Sequence, residues 1–310
     1  MAAPVSPGAC LPYRTAQRDG ARYEQTNLPS PAVKARLSYL ARFARFYWRA
    51  NTLYRVHSPF VFEFVQRTLE DQRWYYAFDR LKELQGRLEE DQRRLTITDY
   101  GAGSSAVAGN ERTVASLARY AAGGPREGRL LFRIVRVVGP RTLLEFGTSL
   151  GMSALYQRLA APPGATLLTM EGCPATAAVA KENFAALERH DVQQLIGPFD
   201  RVLPDALARL APLDYVFFDG NHRREPTIAY FEACLARAHT HSVFVFDDIH
   251  WSADMEAAWA HVQAHPQVTL TIDYFFVGIV FFRPEFRVKQ HQQLVPVTWK
   301  PWMAGFFSGR

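Results

Sequence analysis

The sequence predicts an α/β chain: a doubly wound sheet of seven strands that ends in an antiparallel hairpin and follows a mostly helical N-terminal region. Three observations predict it. From Arg141 onward, expected strands (142–146, 166–170, 192–196, 214–218 and 243–247) alternate with helical stretches, the beat of a parallel sheet with helices on both faces. Val268 to Asp273 and Phe276 to Phe282 are then two strands with almost nothing between them, which makes a hairpin. Finally, Leu143-Leu144-Glu145-Phe146-Gly147-Thr148-Ser149-Leu150-Gly151 runs from a buried strand through a glycine-broken turn into a helix at Met152. That order presents backbone N–H groups and a helix N-terminus to a ligand.

Before this region, residues 1–32 are rich in Pro, Ala, Gly and Arg with little apolar periodicity, and a disordered tail is expected. From Val33 the pattern turns helical, with Leu37, Leu40, Ala41, Ala44, Tyr47 and Trp48 at three- and four-residue steps. Between Val33 and Phe62 stand six basic residues (Lys34, Arg36, Arg42, Arg45, Arg49 and Arg55) and no acid. Such a helix either faces a core and keeps a solvated basic side, the commoner arrangement, or lies on a membrane surface or on nucleic acid. Ser58-Pro59 is a helix start, with Ser as N-cap and Pro at the first helical position. A charged surface helix is expected from Asp79 to Leu95. Asp99-Tyr100-Gly101-Ala102-Gly103-Ser104 looks like a second nucleotide loop, but polar residues follow where a packed helix should begin, so a turn or lid segment is the better reading.

Composition bounds the rest. The chain has 310 residues, 48% of them hydrophobic, enough for one large core or two smaller ones. No run of about 18 uncharged apolar residues exists, so no membrane span is expected. The first residues lack a basic start and an apolar core, so no secretory signal is expected. Cys10, Cys173 and Cys234 are odd in number and widely spaced, which argues for a reducing cytoplasm and against disulfides or a zinc site. A net charge of +6 suits an acidic partner without demanding one.

The loop chemistry is specific in what it lacks. A dinucleotide site needs G-x-G-x-x-G; here the spacing is E-x-G-x-x-x-G, with Ser149 at the middle position. That spacing disfavours a nicotinamide dehydrogenase. Glu145 before the turn would repel a phosphate and suits a cationic group. Glu171 ends the next strand about 20 residues past the turn, where a nucleoside ribose would be held. The plain structural alternatives are a turn that uses glycine for its conformation and a solvated acid at a strand end.

At this point the chain resembles the class I S-adenosylmethionine-dependent methyltransferases over about Leu130 to Pro284, a Rossmann-like fold. More narrowly it is similar to the cation-dependent O-methyltransferases, the catechol, caffeoyl-CoA and macrolide-sugar type. The segments that carry this are L-L-E-F-G-T-S-L-G, T-M-E-G, D-Y-V-F-F-D-G-N-H and V-F-V-F-D-D-I-H-W. Y-R-V-H-S-P-F-V-F, D-G-N-H-R and F-D-D-I-H-W-S also look like an uncharacterised bacterial branch of that superfamily. The resemblance implies a cofactor site at Glu145, Gly147, Thr148, Ser149, Gly151, Glu171, Gly172 and Asp219, with the adenine read near Gly197, Phe199 and Asp200. It makes residues 130–285 the methyltransferase domain, 33–129 a helical cap or dimerisation region, and 286–310 an aromatic-rich tail, either folded back or loose.

Asp219 and the pair Asp247-Asp248 end two apolar strands. If these are neighbours, as the family implies, three carboxylates converge at one rim. Like charges 4 Å apart cost about 4 kcal/mol at an effective dielectric near 20, so either a proton is retained or a hard cation neutralises them. An all-oxygen set favours Mg²⁺ or Mn²⁺, although the catechol-type pattern has Asp-Asn where this chain has Asp-Asp. The structural alternative gives Asp247 to the chain turn and Asp248 to a helix cap. By resemblance His222, three residues after Asp219, removes the acceptor proton; His250 competes for the role, and Trp251 is a candidate pocket wall. The expected function is a cation-assisted O-methyltransferase for a small-molecule hydroxyl, in a cytoplasmic chain without a membrane span, with a homodimer compatible and nucleic acid not expected. The alternatives are RNA or protein methylation guided by the basic helix, and a non-catalytic relative that kept the fold.

Overall fold

The computed structural model describes residues 31–98, 111–120 and 124–303. Of the tail expected over residues 1–32, residues 31 and 32 belong to the first helix; the rest, the Gly101–Gly103 segment and the last seven residues lie outside that description. The chain begins with α1 (Pro31–Arg49), α2 (Pro59–Arg67) and α3 (Tyr76–Glu90), then a two-stranded antiparallel sheet of β1 (Arg94–Thr96) and β2 (Glu111–Thr113), and α4 (Val114–Tyr120) and α5 (Gly124–Val138). Helix α2 starts as its sequence requires: Ser58 Oγ accepts from Val61 N at 3.4 Å and Pro59 opens the first turn. The boundary expected at 129/130 falls inside α5.

Strands and helices then alternate: β3 (Thr142–Phe146), α6 (Met152–Ala160), β4 (Thr166–Glu171), α7 (Pro174–Ala186), β5 (Val192–Ile196), α8 (Phe199–Arg209), β6 (Leu213–Phe218), α9 (Arg224–Leu235), β7 (Ala238–Asp247) and α10 (Ala253–Ala264). The hairpin is β8 (Leu270–Asp273) and β9 (Val277–Phe281), and β10 (Gln290–Gln293) follows. The sheet order is β10-β8-β9-β7-β6-β3-β4-β5, with β9 antiparallel to both of its neighbours. The sheet therefore has eight strands rather than seven. The added edge strand, parallel to β8, reads Q-H-Q-Q; it buries no apolar face, so no alternation announced it.

Side-chain alternation splits the core in two. Leu143, Leu167, Tyr215, Phe217, Val243 and Val245 pack on α2, α3, α5, α6 and α7, while Leu144, Phe146, Leu168, Met170, Phe218 and Phe246 pack on α8, α9 and α10. The N-terminal helices thus share the core of one sheet face. Gly128 lets α5 lie against α6, since a Cβ there would stand 2.3 Å from the Tyr156 ring. Strand β3 sits between β4 and β6, the point where the winding reverses and where a ligand crevice opens beyond the strand ends. The register aligns Phe146 with Met170 and with Phe218, and Phe218 with Phe246, so the acids that follow share one rim.

Candidate active site

The loop after β3 is shaped by two left-handed glycines and one strained serine: Gly147 at φ 92°, Ser149 at φ 46° and Gly151 at φ 82°. A Cβ on Gly147 would lie 2.0 Å from the carbonyl oxygen of Asp219, so only glycine lets this loop reach the end of β6. Gly147 N and Thr148 N donate to Met170 O at 2.9 and 3.1 Å, tying the loop to β4. Glu171 accepts from Ser149 N at 2.7 Å and from Cys173 N at 2.8 Å, which fixes its carboxyl at the crevice. Burial pushes its pKa up against those two hydrogen bonds. Gly172 follows it into α7, and Gly197 N donates to Glu171 O at 2.8 Å, bringing the third strand end to the same place.

Glu145 lies elsewhere. As the penultimate residue of β3 it points into the α6 face and is fully buried. Its oxygens accept from Thr169 Oγ1 and Gln157 Nε2, both at 2.6 Å, and burial pushes its pKa up to about 7. Thr169 Oγ1 is also 2.6 Å from Thr148 Oγ1, so the acid sits one hydroxyl behind the loop rather than facing the crevice. Phe199 stands edge-on to Phe146 and Tyr230, at 5.5 and 5.8 Å between centroids, and a Cβ on Gly220 would meet it at 2.5 Å. Asp200, exposed beside it, interacts with Tyr230.

Four carboxyl groups gather at the ends of β6 and β7. Asp219, Asp247 and Asp248 were legible in the sequence; the fourth is Glu127, from the first turn of α5. Glu127 hydrogen-bonds Asp247, which two carboxyl groups can do only by holding a proton between them. Burial first, then mutual repulsion, drives Asp247 well above the carboxylate range and raises Asp248 as well. Asp248 itself sits at φ 52°, a conformation that turns it off the strand line. His222 Nε2 lies 3.6 Å from Asp219 Oδ1. Burial lowers the His222 pKa, but Asp219, with Asp248 and Glu127 behind it, more than offsets this and the net shift is upward. Tyr39 of α1 faces the same acids, and burial together with the charges of Asp248, Asp247 and Glu127 pushes its phenol up to about 12.

The two candidate bases separate on geometry. His250 Nδ1 is 2.9 Å from Glu256 Oε1 and its Nε2 is 3.0 Å from Asp273 Oδ2, so both ring nitrogens are engaged. Its ring stacks on Phe275 at 5.0 Å. Trp251 is half exposed and meets Tyr39 edge-on at 6.0 Å. Arg42 of α1 donates to the carbonyls of His250 and Trp251 at 3.0 and 2.8 Å, which fastens the N-terminal helix over this side of the rim. Glu127 and Tyr39 were missed because each lies far upstream of the strand-end motifs. The available signal was an acid in the first turn of the last helix before β3, in Pro125-Arg126-Glu127-Gly128.

Among the described residues, no group of three or more His, Cys, Asp or Glu side chains is arranged to hold a metal ion, so the expected three-aspartate set is not preassembled. Its donor chemistry still suits a hard divalent cation: every donor is oxygen, and Asp247 Oδ1 is buried with no hydrogen-bond partner.

Residues 144–249 match the family described as a methyltransferase domain. The transmembrane O-methyltransferase of Homo sapiens is 41% identical over 83 residues, 26% of this chain and 28% of that protein. The catechol O-methyltransferase of Niastella koreensis is 29% identical over 127 residues, 40% of this chain and 57% of that one. The chain spans under a third of the length of the transmembrane relatives. The structure of an O-methyltransferase from Bacillus cereus with S-adenosylhomocysteine superposes at a TM-score of 0.47 with 18% identity, covering 71% of this chain and 96% of that one.

An open sheet reversing at β3 and a glycine loop locked to a strand-end acid lie in residues 144–249, the segment that is similar to the class of methyltransferase domains. Within that class the similarity runs to the O-methyltransferases, the catechol enzymes among them.

Proposed function

We propose that the chain transfers a methyl group from S-adenosylmethionine to a hydroxyl of a small molecule, with His222 as base. The observation that carries this reading is the His222–Asp219 contact at 3.6 Å beside a buried acid cluster, while the competing histidine has both nitrogens engaged. S-adenosylmethionine supplies an electrophilic methyl carbon on a positively charged sulfur. The loop from Gly147 to Gly151 and Glu171 hold it, and Gly172 with Gly197, Phe199 and Asp200 border its adenosine end.

Methyl transfer asks chiefly for alignment, which supplies roughly 7–11 kcal/mol of a barrier. The chain's own residues would provide it: Tyr39 and Trp251 bound the acceptor, and Asp219 holds the His222 ring toward it. His222 takes the hydroxyl proton as the new O–C bond forms and the C–S electron pair returns to sulfur. Asp219, Asp247 and Asp248 would hold a divalent cation, whose chemistry is to neutralise these acids and polarise an oxygen. The described part of residues 33–129 acts in this reading as the cap over the acceptor, and the reaction belongs to a reducing cytoplasm.

Docking of RNA through the basic helix has less to recommend it, because Arg42 is spent on the His250 and Trp251 carbonyls and Arg45 contacts Glu256 at 3.7 Å. The test is thermal unfolding with S-adenosylmethionine, S-adenosylhomocysteine or NAD, each with Mg²⁺ or EDTA, followed by methyl transfer to catechol-like and sugar diols. A ligand at 100 times its dissociation constant adds about 2.7 kcal/mol. A response to the two adenosyl ligands but not to NAD is expected; the absence of both would overturn the reading.

A further inference from the structure

Helix α1 has two apolar faces. The inner one, Tyr39, Phe43, Phe46 and Ala50, packs on Phe275 and Val295. At 3.6 residues per turn, Leu37, Leu40, Ala41, Ala44 and Trp48 fall on the opposite side within an arc of about 100°. All five are exposed, Leu37 by 55%, Leu40 by 59% and Trp48 by 80%. Arg36 borders this stripe on one side, and Arg45 and Arg49 border it on the other. No acid occurs from Val33 to Phe62. An apolar stripe between arginines with an exposed tryptophan is the pattern of a helix lying in a lipid headgroup layer, where long basic side chains reach phosphates and indole rings sit at the boundary.

The C-terminal segment supplies an independent second observation. Tyr47 Oη donates to Trp299 O at 2.7 Å, the Phe43 and Trp299 rings are 6.0 Å apart, and Lys300 Nζ donates to the carbonyls of Tyr47 and Ala50, closing the C-terminus of α1. Trp299, against the Phe43 ring, and Trp302 both stay exposed, so the segment adds two indoles next to the C-terminal end of α1 on the chain's surface.

We infer that α1 and residues 297–303 form a docking surface for an anionic lipid bilayer, with the apolar stripe in the headgroup region and Arg36 and Arg49 on lipid phosphates. The charge decides the occupant. A second copy laid along the stripe would face arginines with arginines, and neither helix has an acid to pair with them. A single-stranded nucleic acid would use the arginines and indoles but leave Leu37 and Leu40 without a role. No described helix is long and apolar enough to cross a membrane; the proposed contact is that of a helix lying in the headgroup layer. It places Tyr39, on the same helix, between the lipid surface and the acid rim.

The experiment is cosedimentation of the full chain with phosphatidylcholine vesicles, with and without phosphatidylserine, and it needs no methyl acceptor. Phosphatidylserine is expected to raise the partition coefficient at least about tenfold at low salt, with the gain lost at high salt. Leu40→Glu with Trp48→Glu should lower binding by about tenfold or more while the S-adenosylmethionine thermal shift is retained. Quenching of tryptophan fluorescence by brominated lipids reads the same contact in the unaltered chain. Binding indifferent to phosphatidylserine, no quenching, a dimer that Trp48→Glu dissociates, or retention of RNA without retention of vesicles would each overturn the inference.

Discussion

Glu145 offers a test of the fold's electrostatics that a single substitution can read. Its carboxyl is fully buried between β3 and α6, and burial moves its pKa from an ordinary 4.5 to about 7 against hydrogen bonds from Thr169 and Gln157. The shift is about 2.5 units, and at 1.36 kcal/mol per unit it corresponds to about 3 kcal/mol. The folded pKa is raised, so the stability that Glu145 contributes is fully present below the unfolded value of 4.5. It is lost as pH climbs through about 7, because the folded state must then either keep a proton that solvent would take or bury a charge. Glu145→Gln removes the titration and leaves a pH-independent offset from its rearranged hydrogen bonds. Urea unfolding of both proteins across this range should show the wild-type stability minus the variant stability falling by about 3 kcal/mol from pH 4.5 upward, and levelling above pH 7. A difference that stays flat over the window would refute the buried, proton-holding assignment and return Glu145 to the crevice as a ligand acid.

Other outcomes follow from the same geometry. Gly147→Ala places a Cβ 2.0 Å from Asp219 O at φ 92°, so it should cost at least about 1–2 kcal/mol in unfolding and abolish the S-adenosylmethionine thermal shift. His222→Gln should lower kcat about 10²–10⁴-fold and leave S-adenosylmethionine binding intact, as read by calorimetry. His250→Phe breaks a pair with nearly buried Asp273 and should cost about 3 kcal/mol of stability with a kcat within a few-fold of the parent. Asp247→Asn should erase any Mg²⁺-dependent rise in melting temperature; a rise of unchanged size in the variant would remove Asp247 from the cation set.

Read alone, the sequence determined the parts of this protein that depend on local chemistry. Short runs bounded by glycine, proline and acids gave β3 to β6 to within a residue and the buried second half of β7, which starts five residues earlier at Ala238; the apolar runs among them are buried on both faces of a parallel sheet. The E-x-G-x-x-x-G spacing marked the loop at which β3, β4 and β6 meet, since only glycine tolerates the carbonyl of Asp219 so close. The acids at the ends of β6 and β7 were legible for the same reason, as charges where a hydrophobic run stops. What the tertiary structure alone decided was which groups face one another. Alternation along β3 turned Glu145 inward, although it precedes the loop by two residues. Helix α5 delivered Glu127 to Asp247, and α1 delivered Tyr39 to the same rim. The polar strand β10 joined the sheet through backbone hydrogen bonds to β8, which no side-chain pattern announces. His250 lost its candidacy as the base because Glu256 and Asp273 arrived at its two nitrogens from different elements. Burial, repulsion and proton sharing are properties of distances between segments far apart in the chain, and those distances exist only once the sheet has closed its layers around them.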